Sequence, residues 1–379
     1  MKMLHISDLH IGKRLKEFSM LEDQEYILLE ILKIVDAEHP DCIIIAGDIY
    51  DKTIPQAEAV QVFDNFLYAL AERKLYTLLI SGNHDSPERV SFGGRLMESN
   101  RVYIAPVFHG KIPPITLCDA LGEVHFYLLP YVKPAHVRRY YPDAKVESYH
   151  DAIRTIINDM DLDRNARNVL VTHQFVTGSV LSNSEEFFVG GTENIDADLF
   201  DAFDYTALGH IHRPQNVGTP KIRYSGSQLK YHFDEIGQEK TVTIAEIGVK
   251  GELHIREIPL QPKRQVRAYK GTYTQITSKS FYDNIEKEDY VYITLTDEED
   301  IPDAARKLKK IYPNMLQLFY DNCRTRMPSV IHSEIRNETL SPMQIFSEFY
   351  ANQSNHTMTE EQQAIMEQVI KSVWEEESR

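Results

Sequence analysis

Cysteine, long apolar runs and positive charge are what this chain has least of, and each shortage argues against a class of protein. Only Cys42, Cys118 and Cys323 occur among 379 residues. They are scattered, odd in number and without Cys-x-x-Cys spacing. That argues against a disulfide framework or a thiolate zinc site and fits a reducing cytoplasm. No stretch approaches the roughly 18 apolar residues of a membrane span. The apolar run after Met1 is broken at once by Ser7-Asp8, so no signal peptide is expected either, and the protein reads as soluble and cytoplasmic. Lys and Arg number 41 against 57 Asp and Glu, a formal net charge of −16. Phosphate binding depends on Lys and Arg, so a chain of this charge does not coat nucleic acid unaided.

The acid is unevenly placed. Asp283 to Asp303 holds nine Asp/Glu against one Lys, and Ser182 to Asp204 holds seven with no Lys or Arg. Basic residues cluster at Lys13, Arg14 and Lys16, at Arg138-Arg139, and at Lys263, Arg264, Arg267 and Lys270. Local contact with nucleic acid is therefore permitted, although the global charge does not predict it.

With 42% apolar residues over this length, two or three domains with a sizeable core are expected. Short apolar runs at Met3 to Ile6, Cys42 to Ala46, Tyr76 to Ile80, Asn168 to Val171 and Tyr205 to Leu208 read as buried strands. Leu21 to Val35 and Ala57 to Leu70 carry helical spacing between the first three. Strand–helix–strand alternation implies parallel strands with helices on the faces. After Val107 the chain turns strand-rich, at His125 to Leu129, Lys221 to Tyr224, Thr241 to Ile247 and Leu253 to Ile258, which suggests two packed sheets. Pro259-Leu260-Gln261-Pro262 marks a boundary, giving expected units of 1–260, 261–335 and 336–379. The second holds strands at Gln265 to Lys270, Tyr290 to Leu295 and Met315 to Phe319, with a helix at Pro302 to Ile311. The third holds one helix starting at Ser341-Pro342, a good cap followed by Pro at the first helical position. Another follows Thr359, which opens a Thr-x-x-Gln capping box.

Five short signatures follow the predicted strands: Asp8-Leu9-His10, Gly47-Asp48-Ile49-Tyr50-Asp51, Gly82-Asn83-His84-Asp85, Thr172-His173 and Gly209-His210-Ile211-His212. In layered α/β folds ligands gather at the carboxyl ends of strands, so these residues are expected to converge on one edge. Their chemistry suits two divalent cations about 3.5–4 Å apart, which clamp an in-line phosphoryl displacement. Such a pair needs an anionic bridge, and Asp48 is the choice. Asp8 and His10, two apart in an extended segment, suit one ion with His212. Asn83, His173 and His210 suit the other. A mixed nitrogen and oxygen set without thiolate fits Mn²⁺, Zn²⁺ or Fe²⁺, with Mn²⁺ as first choice. His84 is expected to point towards the leaving group as general acid or charge stabiliser, with the Asp51 carboxylate orienting its other ring nitrogen. Each signature alone is a common turn sequence; the ordered set is not.

These residues resemble the pattern of the calcineurin-like metallophosphoesterase superfamily: Asp-x-His, Gly-Asp-x-x-Asp, Gly-Asn-His, a lone His, and Gly-His-x-His. More narrowly, Ile6 to Gly12, Ala46 to Asp51 and Ser81 to Arg89 are similar to the SbcD family of bacterial nuclease subunits. The resemblance implies an αββα sandwich over 1–260, a small α+β capping domain for DNA recognition over 261–335, and C-terminal helices that bind a partner over 336–379. It implies the metal roles given above. The position of Asp51 is His in archaeal and eukaryotic relatives, which leaves His84 as the principal non-ligand catalyst.

Further implied are a manganese-dependent 3′→5′ exonuclease on double-stranded ends, with endonuclease action on single strands and hairpins, serving DNA repair, recombination and replication. A homodimer bound to two copies of SbcC, an SMC-like ATPase, is implied as well. The segment from Ser341 carries seven Glu against Lys371 and Arg379, which suits a basic partner surface. Arg14 and Arg89 are candidate phosphate contacts, Arg138 and Arg139 lesser ones. The alternative is a general phosphodiesterase or phosphatase for small substrates on the same centre. The cap and amphipathic tail count against it, since a small substrate needs neither.

Overall fold

A computed structural model describes residues 1–105, 107–182, 194–299, 301–326, 341–354 and 357–377. The expected division at 335/336 and residues 183–193 of the acidic stretch after Ser182 lie outside the described residues. By internal contact the chain separates into Met1–Gln265 and Val266–Arg379.

The first unit is built on two six-stranded sheets. One runs in the order Leu253–Pro259, Thr241–Ile247, Lys2–Ile6, Cys42–Ala46, Tyr76–Ile80, Val102–Ile104. The other runs Gln215–Val217, Thr219–Tyr224, Tyr205–Gly209, Arg167–His173, Gly122–Leu129, Pro114–Asp119. The four strands from Lys2–Ile6 to Val102–Ile104 are parallel, as are the four from Thr219–Tyr224 to Gly122–Leu129. The remaining strands pair antiparallel at the edges.

Side-chain alternation decides the layers. Cys42, Ile44 and Ala46 join Phe126, Leu128, Val169, Val171 and Ala207 in one core between the sheets. The out-of-phase Tyr127, Leu129, Leu170 and Leu208 pack instead with Ile153, Ile156 and Ile157 of the helix Tyr149–Asp159, outside the second sheet. The helices Leu21–Glu38 and Ala57–Glu72 flank the first sheet. Strands covered on both faces are mostly apolar, which is why they read as Ile-, Leu- and Val-rich runs and not as alternating ones, with single buried polar residues such as His5, Thr77 and Thr206 between. The architecture is the four-layer αββα sandwich that the family resemblance implies, and its two packed sheets are those the strand spacing suggests. Among the elements that escaped the sequence reading are the edge strands Val102–Ile104, Gln215–Val217 and Pro114–Asp119, the last carrying Pro114 and two polar positions, and the helix Tyr149–Asp159.

In the second unit three parallel strands, Val266–Gly271, Tyr290–Leu295 and Met315–Tyr320, lie in sequence order. Ile276, Val291, Ile293, Leu295, Leu308 and Met315 form their core. The helix expected from Pro302 begins at Ala304, because Asp303 turns left-handed (φ 57°) at its start. Both C-terminal helices, Pro342–Ser354 and Glu360–Glu377, carry reciprocal caps: Thr359 with Gln362 as expected, and the expected cap Ser341 with Gln344. Among the described residues no helix is long and apolar enough to cross a membrane.

Candidate metal centre

Parallel pairing brings the strand ends level: Ile6 lies beside Ile45, Ala46 beside Ile80, and Gly209 beside His173. All five signatures therefore leave the sheets at one edge. There the backbone turns sharply, with Asp8 (φ 54°), His10 (φ 45°), Asp48 (φ 50°) and His210 (φ 106°) in the positive region. Non-glycine residues held there cost of order 1–3 kcal/mol each and concentrate at functional sites. Main-chain bonds hold the turns against each other, from Asp8 N to Gly47 O (3.0 Å), His10 N to Asp48 O (3.0 Å) and Ile11 N to Ile49 O (2.8 Å).

Two glycines let the loops and sheets close. A Cβ on Gly82 would stand 2.1 Å from Asp48 Oδ1, and one on Gly209 would stand 1.9 Å from the Ala46 carbonyl oxygen. Either methyl would occupy space that the site's own atoms need.

The side chains fall into two groups around Asp48. His10 Nε2 lies 3.0 Å from His212 Nε2, and ligand atoms of Asp8, His10 and His212 all lie within 4.8 Å of one another. On the other side Asn83 Oδ1 is 2.9 Å from His173 Nε2 and 3.0 Å from His210 Nδ1. One oxygen faces both groups: Asp48 Oδ2 is 3.7 Å from His10 Nε2 and 3.3 Å from His173 Nε2. The second oxygen, Oδ1, accepts from the His84 main-chain N–H at 2.9 Å. Asp8 is fixed by Ser7 Oγ–H and by the His210 N–H, 2.9 Å from Oδ1.

This donor set fits a cation. The His173 Nδ1–H donates to Ala46 O at 2.8 Å, and a carbonyl can only accept. His173 Nε2 therefore turns a lone pair on two more acceptors, Asn83 Oδ1 and Asp48 Oδ2. Three acceptors converge with no hydrogen between them unless a cation or a proton supplies the charge. Burial opposes charge on the His173 ring, but the Asp48 carboxylate outweighs it and raises the group to about 9, so a proton can take the cation's place. Burial holds His10 well below the ordinary histidine value and, with the nearby His173, takes His210 to about 3, leaving both rings neutral donors. Burial pushes the Asp8 carboxyl up, against the pull of His173 and His212, whereas His173 overcomes burial at Asp48 and keeps it ionised.

The His84 ring stacks edge-on against His10, centroids 4.9 Å apart, and its Nδ1 lies 3.1 Å from the main-chain oxygen of Asp51. The expected orienting carboxylate is thus replaced by a carbonyl of the same residue. The reason is local. Asp51 N bonds to Ile11 O (3.2 Å), which carries the side chain across to Lys13 Nζ (2.7 Å) and towards His10 Nδ1 (3.8 Å).

Arg14 sits on the exposed hairpin Arg14–Leu15/Phe18–Ser19, its guanidinium on Glu17 O. Arg89 is exposed on the short helix Pro87–Val90. Neither joins the cluster.

Two supporting carboxylates had no assigned role in the sequence. Asp85 is buried and accepts from Ile49 N (3.1 Å), Tyr50 N (2.9 Å) and Gly82 N (2.9 Å), tying two signatures together. Burial and the neighbouring Asp48 charge raise it to about 6. Its place as the last residue of Gly-Asn-His-Asp was the available signal. Glu235, 3.1 Å from His212 Nδ1, belongs to no motif and left none.

Known proteins place this geometry. The family described as calcineurin-like phosphoesterase matches residues 1–214, and that described as Type 5 capsule protein repressor C-terminal domain matches residues 262–354. The SbcD component of the SbcCD nuclease from Staphylococcus epidermidis is 33% identical over 96% of both chains. Its counterpart from Staphylococcus saprophyticus is 32% identical over the full length of both. Among solved structures, a dimetal phosphatase from Danio rerio covers 69% of this chain and 98% of its own, with 10% identity and a TM-score of 0.41. With matches of this length on both halves, the chain belongs to the calcineurin-like phosphoesterases and, within them, to the family of SbcD nuclease subunits.

Proposed function

We propose that this chain hydrolyses DNA phosphodiester bonds as the nuclease subunit of an SbcCD-type complex. In this reading it is a 3′→5′ exonuclease on double-stranded ends and an endonuclease on single strands and hairpins, working in the cytoplasm on nucleoid DNA. The observation that carries it is Asp48 Oδ2 standing between two donor groups, in a chain whose relatives of equal length are named as nucleases. Asp8, His10 and His212 would hold one divalent cation, Asn83, His173 and His210 the other, with Asp48 touching both. Mn²⁺ is the preferred metal for this mixed oxygen and nitrogen set without thiolate. When bound, such a pair supplies Lewis-acid polarisation of the phosphoryl group and acidifies the attacking water.

The protein's own share is orientation and proton handling. His84, steadied through Nδ1 by the Asp51 carbonyl, presents Nε2 to the leaving oxygen as donor or as positive charge. The Asp51 carboxylate holds Lys13 beside the site, where its ammonium can meet a phosphate. Arg14 and Arg89 on the exposed rim serve the flanking backbone.

Exposed apolar side chains support partners. Ile345 (44% exposed), Phe349 (50%), Ile365 (57%) and Val369 (46%) on the C-terminal helices suit docking to an SbcC-type ATPase. Phe92 (83%) and Leu96 (82%), just after the Gly-Asn-His-Asp loop, suit a homodimer contact, giving a complex of two nuclease and two ATPase chains.

The test is incubation with Mn²⁺ and a blunt, end-labelled duplex beside His84→Ala. Progressive shortening is expected from the native protein, and a loss of cleavage in the variant with both cations still bound. Cleavage of small phosphodiesters alone would move the assignment to the small-substrate alternative.

A further inference from the structure

Outside the donor cluster, the interior holds an ion pair that the chemistry above leaves unused. Glu235 is fully buried and Lys240 is 5% exposed, with Nζ 2.7 Å from Oε2. Buried ion pairs rarely add stability over an apolar pair of the same volume, so their presence calls for another reason. The contacts supply one. Glu235 Oε1 accepts from His212 Nδ1–H at 3.1 Å, while Oε2 accepts from the Tyr231 N–H at 3.2 Å. Lys240 Nζ donates to the main-chain oxygen of His212 and to Ser227 Oγ, both at 2.9 Å. The pair therefore grips His212 at both ring and backbone.

We infer that Glu235 and Lys240 are positioning residues that fix the orientation and tautomer of His212, and so the affinity of the cation it shares with Asp8 and His10. The inference rests on the two-cation reading. An ionised carboxylate can only accept, so the ring hydrogen sits on Nδ1 and Nε2 carries the lone pair towards His10 and Asp8. Across the site, His173 is held the same way by the neutral Ala46 carbonyl. The two halves thus differ: one histidine is backed by a charge from a side chain, the other by the main chain. Lys240 divides the roles of the two carboxylate oxygens. It leaves Oε1 to His212, takes Oε2, and ties the turn Phe233–Glu235 to the peptide after His212. Of His212 and His173, His212 is the one backed by replaceable side chains among the described residues, so the pair acts on the first cation site.

Calorimetric titration with Mn²⁺ separates these roles. The native protein is expected to bind two ions. In Glu235→Ala the ring loses its acceptor. In Glu235→Gln, Lys240 claims the amide oxygen and the amide N–H₂ meets Nδ1, selecting the tautomer with hydrogen on Nε2. Both variants should weaken one ion by about 10–100-fold and leave the other unchanged, the range for removing a partner behind a ligand. Nitrogen-15 shifts of the His212 ring should move in E235Q from the pattern with hydrogen on Nδ1 to that with hydrogen on Nε2, a signature that a merely space-filling role would not show, because the Tyr231 N–H and Lys240 both hold the amide oxygen on their side. Unchanged titration of E235Q, equal weakening of both ions, or a His212 ring that keeps its hydrogen on Nδ1 in E235Q each overturns the inference. E235Q keeps the side-chain volume and still decides the matter if E235A does not fold. A native protein that binds fewer than two ions would overturn the two-cation reading itself.

Discussion

Gly209 is where the second sheet touches the first, and adding one methyl there tests how the site is held. In Gly209→Ala the new Cβ would stand 1.9 Å from the Ala46 carbonyl oxygen and 2.6 Å from His173 Nδ1. Carbon and oxygen settle no closer than about 3.3 Å, so the strand ends must part by roughly 1.4 Å. The nearest obstacle is main chain in the middle of a sheet, which cannot swing aside. A shift of that size also breaks the His173–Ala46 hydrogen bond, now 2.8 Å long. Overpacking contributes about 1–3 kcal/mol and the lost bond about 0.5–1.5, together about 2–4 kcal/mol of destabilisation. At about 2–4 °C per kcal/mol for a domain of this size, the metal-free protein should melt roughly 4–16 °C lower. Misplacing His173 and His210 by about 1 Å should cost about 10²-fold in Mn²⁺-supported cleavage of a labelled duplex. Gly237→Ala is the control: a Cβ there meets nothing within 4 Å, and a change within about 0.5 kcal/mol is expected. Native melting and native cleavage in Gly209→Ala would refute the reasoning, because the sheets would then have room that the structure denies them.

Other outcomes follow from single contacts. Asp85→Ala leaves three main-chain N–H groups without their acceptor and should lose about 3–6 kcal/mol, read by thermal unfolding; a loss below about 1 kcal/mol would show the loops held otherwise. The Arg167 guanidinium, 2.7 and 2.9 Å from Asp119, holds that carboxyl well below the usual range. A depressed folded-state value means stability that is complete above the unfolded value of about 3.9 and lost as pH falls through the folded one. The melting gap between native protein and Asp119→Asn should therefore be full at about pH 6 and close in acid; a gap that widens in acid would contradict the pairing. Chelation of Mn²⁺ should lower the melting temperature. At free metal one hundred times the dissociation constant the difference amounts to about 2.7 kcal/mol per site, and an unchanged melt would argue against bound metal.

Local signals made much of the fold readable. The runs Cys42 to Ala46 and Tyr76 to Ile80 announce parallel strands because burial on both faces favours apolar residues at nearly every position, Thr77 being the exception. The signatures mark their ends because tight turns there need Gly, Asp and Asn. Pro114–Asp119 stayed hidden because an edge strand is half solvated and its sequence is correspondingly mixed. Asp51 shows how far local reading reaches. Its spacing from Asp48 is visible, but which of its oxygens meets His84 depends on Ile11 pairing with the loop.

The sequence by itself determined the parallel strands with helices between them, the two packed sheets, the strand ends at which the signatures stand and the donor types they carry, since these are matters of periodicity and residue chemistry within a few positions. Only the tertiary structure decided how closely the donors stand around Asp48, that a carbonyl holds His84, and that Glu235 and Lys240 stand behind His212. Those contacts join residues up to 202 positions apart, and the packing of two sheets, which no local pattern encodes, brings them within 3 Å.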